Sequence, residues 1–72
     1  MRTWERILYF INMVGLATPK LIASHLNLSD NNVRVILKRL NDRGYVERLS
    51  HGLYRVAPKG RRYLERKRLI EL

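Results

Sequence analysis

Cysteine is absent from this chain. That excludes disulfides and thiolate metal sites, so an ordinary apolar core is the only staple available to hold a fold. Long hydrophobic runs are missing too: the apolar stretches extend only a few residues, far short of the roughly 20 needed to span a bilayer. The N-terminus, MRTWERIL, has a glutamate near its start and no long apolar region, so no secretion signal is read there. Two histidines, His25 and His51, stand without an H-x-x-x-H pattern or a carboxylate cluster, so no metal site is expected. No nucleophile–base pair, glycine-rich phosphate loop or paired-acid motif is visible, so neither an enzyme nor a cofactor is expected. With 72 residues the chain reads as one domain. A domain of that size buries only about 60% of its unfolded surface. It offers little room for a ligand pocket, and no small-molecule effector is expected.

Acidic residues are scarce as well. Fifteen Lys and Arg face six Asp and Glu, for a net charge of +9. The excess is uneven. Residues 1–33 carry Arg2, Arg6 and Lys20 against Glu5 and Asp30, a net +1, whereas residues 34–72 carry twelve basic and four acidic side chains, a net +8. A positive field on half of a small domain attracts polyanions, nucleic acid first and an anionic membrane surface second. Eleven of the fifteen cations are arginine, the residue best suited to phosphates and base edges. The hydrophobic fraction of 46% is normal for a globular protein and argues against disorder.

Hydrophobic periodicity divides the chain. Trp4, Ile7, Leu8, Ile11 and Val14 make one stripe of a helix over about 3–14, with Thr3 as its expected cap and Gly15 as its stop. Tyr9 and Phe10 lie toward the edges of that stripe, as core or as a partner surface. Thr18-Pro19 opens a short helix over 18–26, and Asn27 is a plausible left-handed stop. Leu28 follows as a buried plug. Ser29 or Asp30 caps a longer helix over 30–43 that Gly44 ends. Tyr45–Leu49 and Leu53–Ala57 are rich in β-formers around Ser50-His51-Gly52 and predict a β-hairpin over 45–57. Pro58 opens a strongly basic amphipathic helix over 58–70.

A short capped helix, a tight turn and a longer basic helix make a helix-turn-helix unit. The hairpin that follows adds a wing. The expected architecture is therefore mainly α with a β-hairpin wing (α+β): a winged helix-turn-helix of three core helices, wing and C-terminal helix. The segment Thr18–Ser29 resembles the second helix and turn of MarR-like, PadR-like and related small transcriptional regulators, and VRVILKRLNDRGYV resembles their recognition helix and strand entry. Tyr54-Arg55-Val56-Ala57-Pro58-Lys59-Gly60-Arg61 is similar to their Y-x-L-T-x-K-G-R segment. The resemblance covers about residues 3–68. It departs where Asn27 stands for the usual glycine and Ala57 for the usual threonine. The resemblance implies that the long flanking helices that dimerise the MarR group are expected to be missing or truncated here. The composition is also compatible with an archaeal or archaeal-virus source.

At 100° per residue, Val33, Ile36, Leu37 and Leu40 share one side of the third helix. Asn31, Val35 and Lys38 lie opposite, with Arg34 and Arg39 on the flanks. Asparagine reads adenine, Arg and Lys read guanine, and a valine can pack on a thymine methyl. Asn31, Asn32, Arg34, Val35 and Lys38 are therefore the expected base readers. Thr18, Lys20, Ser29, Arg39, Arg48, His51, Arg55, Lys59 and Arg61 are the expected backbone and wing contacts, while Tyr54 and Val56 are expected in the core. The expected activity is regulation of transcription by double-stranded DNA binding, in the cytoplasm (nucleoid-associated, or in a host cytoplasm if viral), with no membrane partner. An RNA- or ribosome-binding winged helix and a protein-interaction winged helix are the alternatives. A homodimer is expected through Trp4, Tyr9, Phe10, Leu69 and Ile70, with Leu72 nearby, because the first helix of so small a domain is expected to be too crowded to bury Tyr9 and Phe10 together with Ile7 and Ile11.

Overall fold

The computed structural model describes residues 1–71, with His51 described by its backbone alone. Leu72 lies outside the described residues. The order is α1 (Thr3–Val14), α2 (Pro19–Leu26), α3 (Asp30–Asp42), β1 (Val46–Arg48), a 3-10 turn (Ser50–Gly52), β2 (Tyr54–Val56) and α4 (Pro58–Arg66). β1 and β2 pair antiparallel with Val46 opposite Val56, Glu47 opposite Arg55 and Arg48 opposite Tyr54. This is the winged helix architecture, mainly α with a two-stranded hairpin. No helix among the described residues is long and apolar enough to cross a membrane.

Local chemistry explains the boundaries. Thr18 Oγ1 accepts from the Leu21 amide at 3.1 Å, and Ser29 Oγ accepts from the Asn32 amide at 3.1 Å, so α2 and α3 each start on a side-chain cap. Asn27 closes α2 in the left-handed region at φ 57, as its tolerance for that conformation predicts. The start of α1 differs from expectation. Arg2, not Thr3, is the residue before the helix, and its amide donates to Glu5 Oε1 at 2.7 Å. A glutamate three residues into the helix can reach back over the first turn, and it displaces the threonine from the capping role.

α1 is the centre of the molecule, packing on α2, α3, α4 and β2. Its Ile7, Leu8 and Ile11 are fully buried with Ile22, Val33, Leu37, Val46 and Leu64, so every helix and β1 contribute to one core. Because α1 is surrounded on several sides, it also buries Phe10, whose ring stacks on His25 of α2 at 4.7 Å. That corrects the expectation that α1 is too crowded to bury Phe10 with its stripe. Tyr9 is half-buried against the same core, and Val14, expected in the stripe, is 46% exposed. Trp4 is half-buried in an aromatic cluster, 6.1 Å from Tyr45 and 5.0 Å from Tyr63. Tyr54 and Val56 are partly buried and pack on the core.

The last helix is shorter than the expected 58–70. It ends at Arg66, and Arg68 turns left-handed at φ 58. The Leu69 amide then donates to the Leu64 carbonyl at 2.9 Å. A continuing helix would place Leu69 about 180° from the buried Gly60, at 100° per residue. The left-handed turn instead folds Leu69 and Ile70 back against the core. One tertiary tie has no local signal: Ala17 and Tyr54 exchange two backbone hydrogen bonds at 2.8 and 3.1 Å, joining the α1–α2 loop to the wing.

Candidate nucleic-acid interface

α3 is held by its apolar side and presents its polar side outward. Val33, Leu37 and Leu40 are buried and Ile36 is half-buried. Asn31, Asn32, Arg34, Val35, Lys38 and Arg39 are all exposed, so the structure brings the five expected base readers onto one open surface. Val35 is 42% exposed among these polar neighbours. The one ion pair on this surface among the described residues is Lys38 with Asp42 at 3.5 Å, both well exposed. Such a pair is worth only about 0.3–0.5 kcal/mol on a helix, so Lys38 is readily released to another acceptor.

The expected backbone contacts divide into three groups. Thr18 and Ser29 cap α2 and α3, and each hydroxyl keeps its own proton to donate outward. Lys20 and Arg48 are exposed and stand outside the ion pairs found among the described residues. Arg55, Lys59 and Arg61 each meet a partner on the protein itself. Arg55 Nη2 lies 3.2 Å from Glu47 Oε2 directly across the hairpin. Arg61 Nε lies 3.2 Å from Glu65 Oε2 one turn along α4. Lys59 Nζ donates to the Arg43 carbonyl at 2.9 Å and sits 5.2 Å over the Tyr45 ring. Lys59 therefore neutralises the negative end of α3. The side chain of His51 lies outside the described residues.

Arg39 lies on the flank of α3 that adjoins Ile36. With Arg2 and Arg43 it walls an open groove of about 630 Å³ floored by Trp4, Ile36 and Tyr45. Arg2 and Arg43 were not singled out in the sequence because it gives no signal that residues about 40 apart converge there.

One titrating pair ties the interface scaffold together. Tyr63 Oη donates to Glu5 Oε2 at 2.6 Å, joining α4 to α1. Burial, then the bond to Glu5, pushes the Tyr63 phenol up to about 12. The same bond, with the Arg2 amide, holds the Glu5 carboxyl below its usual range.

The sequence profile of the MarR family matches residues 2–53. Among solved structures, the chain is similar to the reduced form of MarR from E. coli, at 23% identity and a TM-score of 0.89, over 96% of this chain and 52% of that one. It is similar to IdeR from T. acidophilum at 30% identity and a TM-score of 0.84, covering 92% of this chain and 33% of that one. It is also similar to a PhiH1 repressor-like protein from Haloarcula marismortui, at 31% identity and a TM-score of 0.80, over 90% and 77% of the two chains. The chain thus spans about half the length of the first of these and a third of the second. Comparison with curated protein sequences finds no match.

Proposed function

This chain belongs to the MarR family, and from that premise we propose that it is a sequence-specific regulator of transcription that binds duplex DNA. In this reading α3 enters the major groove and the hairpin lies on the backbone or minor groove. The observation that carries it is the outward surface of α3. Asn31, Asn32, Arg34, Val35 and Lys38 supply donors, an acceptor and an apolar contact on a helix locked by three buried side chains. Around them, Thr18, Lys20, Ser29, Arg39 and Arg48 are the phosphate contacts this reading assigns, with His51 and Arg55 at the wing. Arg55 would first have to exchange Glu47 for phosphate.

One recognition helix reads only a few base pairs, so the reading includes a homodimer that doubles the site, with recognition helices about 34 Å apart. Phe10 is committed to the protein's own core, which leaves the half-buried Trp4, Tyr9, Leu69 and Ile70 for the contact. Selection of bound sites from random duplex DNA tests both statements. A defined, two-fold symmetric site is expected; no enrichment over duplex RNA or single strands would overturn the function. A strict monomer in sedimentation, bound one-to-one to an asymmetric site, would overturn the dimer.

A further inference from the structure

The recognition surface leaves the most basic element of the chain without a role. α4 and the turn after it carry Lys59, Arg61, Arg62, Arg66, Lys67 and Arg68 against a single acid, Glu65. Lys59 and Arg61 are engaged as described. Arg62, Arg66, Lys67 and Arg68 are exposed, and none forms an ion pair among the described residues. This arrangement is unfavourable for the helix itself. Cations crowd its first turns, where the dipole disfavours them, no acid is present there, and Ala57 supplies no side-chain cap. Arg62 and Arg66 are also like charges one turn apart, which costs further stability. An anion beside Arg62 and Arg66 would relieve that repulsion.

α4 also does not pack extensively on α3. α3 and α4 both bury their apolar sides in the one core around α1, and α4 packs chiefly on α1 and β2. Its hydrogen-bonded tie to α3 is Lys59 to the carbonyl of Arg43, at the C-terminal end of α3.

We propose that the outer face of α4, carried by Arg62 and Arg66 with Lys67 just past the end of the helix, is a second, sequence-independent site for duplex DNA. One molecule then holds two duplex segments, one on α3 and one on α4. An anionic membrane is the competing polyanion. A helix that lies in a membrane interface inserts an apolar face, and the apolar residues of α4, Tyr63 and Leu64, are buried in the protein's own core. Arginines on a purely polar face fit phosphate backbone instead.

The test is capture of a fluorescent duplex by an immobilised duplex of unrelated sequence, mediated by the full chain. It is run beside solution binding of one duplex carrying the selected site. Arg62→Gln, Arg66→Gln and Lys67→Gln are combined in one variant; glutamine keeps helix propensity, and the Arg62→Gln, Arg66→Gln pair is run as a milder second variant. The triple variant is expected to lose capture at least about tenfold, with a salt slope for capture shallower by about 2.5–3, while its affinity for the single specific duplex changes less than about threefold. Arg34→Ala with Lys38→Ala should do the reverse, losing sequence preference while α4-dependent retention on any duplex persists. If those α3 changes have no effect but α4-dependent retention on duplex remains, the reading of α3 and the two-duplex arrangement fail, and DNA binding by α4 alone stands. Unchanged capture in the α4 variants would overturn the second site. So would parallel loss of single-duplex binding, which would make α4 part of one footprint, or an α4 dependence seen only with phosphatidylglycerol vesicles.

Discussion

Gly60→Ala should be strongly destabilising, although helix propensity alone predicts the opposite. Gly60 is the third residue of α4, and replacing glycine by alanine inside a helix ordinarily gains about 1 kcal/mol. Here a Cβ would overlap the Tyr45 carbonyl oxygen and press on Val56 Cγ1 at 3.0 Å. The carbonyl is not free to retreat, because it accepts the Ala57 amide at 2.9 Å, the bond that sets the end of the wing against the start of α4. Overpacking of this kind costs about 1–3 kcal/mol, and loosening the carbonyl's hydrogen bond costs about 1 more. After the propensity gain, the net loss is about 2 kcal/mol. For a domain of this size each 1 kcal/mol shifts Tm by about 4–8 °C, so thermal unfolding should show a drop of about 8–16 °C. Gly52→Ala is the comparison: its φ of 73 strains any side chain, but no atom lies within 4 Å of the new Cβ. A Gly60→Ala protein as stable as the parent, or more so, would refute the close-approach argument.

Asn31→Ala or Arg34→Ala should cost about 1–3 kcal/mol on the preferred site and relax its sequence there, whereas Arg48→Ala should weaken all sequences alike; competition binding with site variants separates the two. If about five or six phosphates are contacted per protomer, log K should fall with log salt at a slope near −5, and a slope shallower than about −2 would remove the electrostatic basis of binding. The Tyr63–Glu5 bond should make stability fall at both ends of the pH scale. Glu5 is lowered in the folded protein, so the unfolded chain takes up its proton first and stability is lost as pH falls below the ordinary carboxylate value. Tyr63 is raised to about 12, so the folded protein holds its proton longer and stability is lost as pH rises from about 10 toward 12. Denaturant midpoints across pH should show both declines, and Tyr63→Phe should flatten both; an unchanged profile in that variant would show the bond carries no linkage.

The sequence by itself determined the helices, because their signals are local. Thr18-Pro19, Asn27, Ser29 and the four apolar positions of α3 act within a few residues of their own place, and they mark out α2, its turn and α3 without reference to residues far along the chain. The same periodicity sorted Asn31, Arg34, Val35 and Lys38 to the open side of α3, since the buried side is fixed by Val33, Leu37 and Leu40. Tertiary structure decided what depends on residues far apart in the chain. Phe10 is core because α1 is packed on several sides, which no one-helix stripe reveals. Lys59 caps α3 and Arg55 pairs with Glu47 because folding brings a carbonyl and a carboxylate within reach of them. Gly60 is needed because the Tyr45 carbonyl sits against it, and α4 stops at Arg66 because Leu69 gains more by turning back to the core than by extending the helix. A cation's charge is written in the sequence; what it is free to bind depends on which acceptors the fold has already placed beside it.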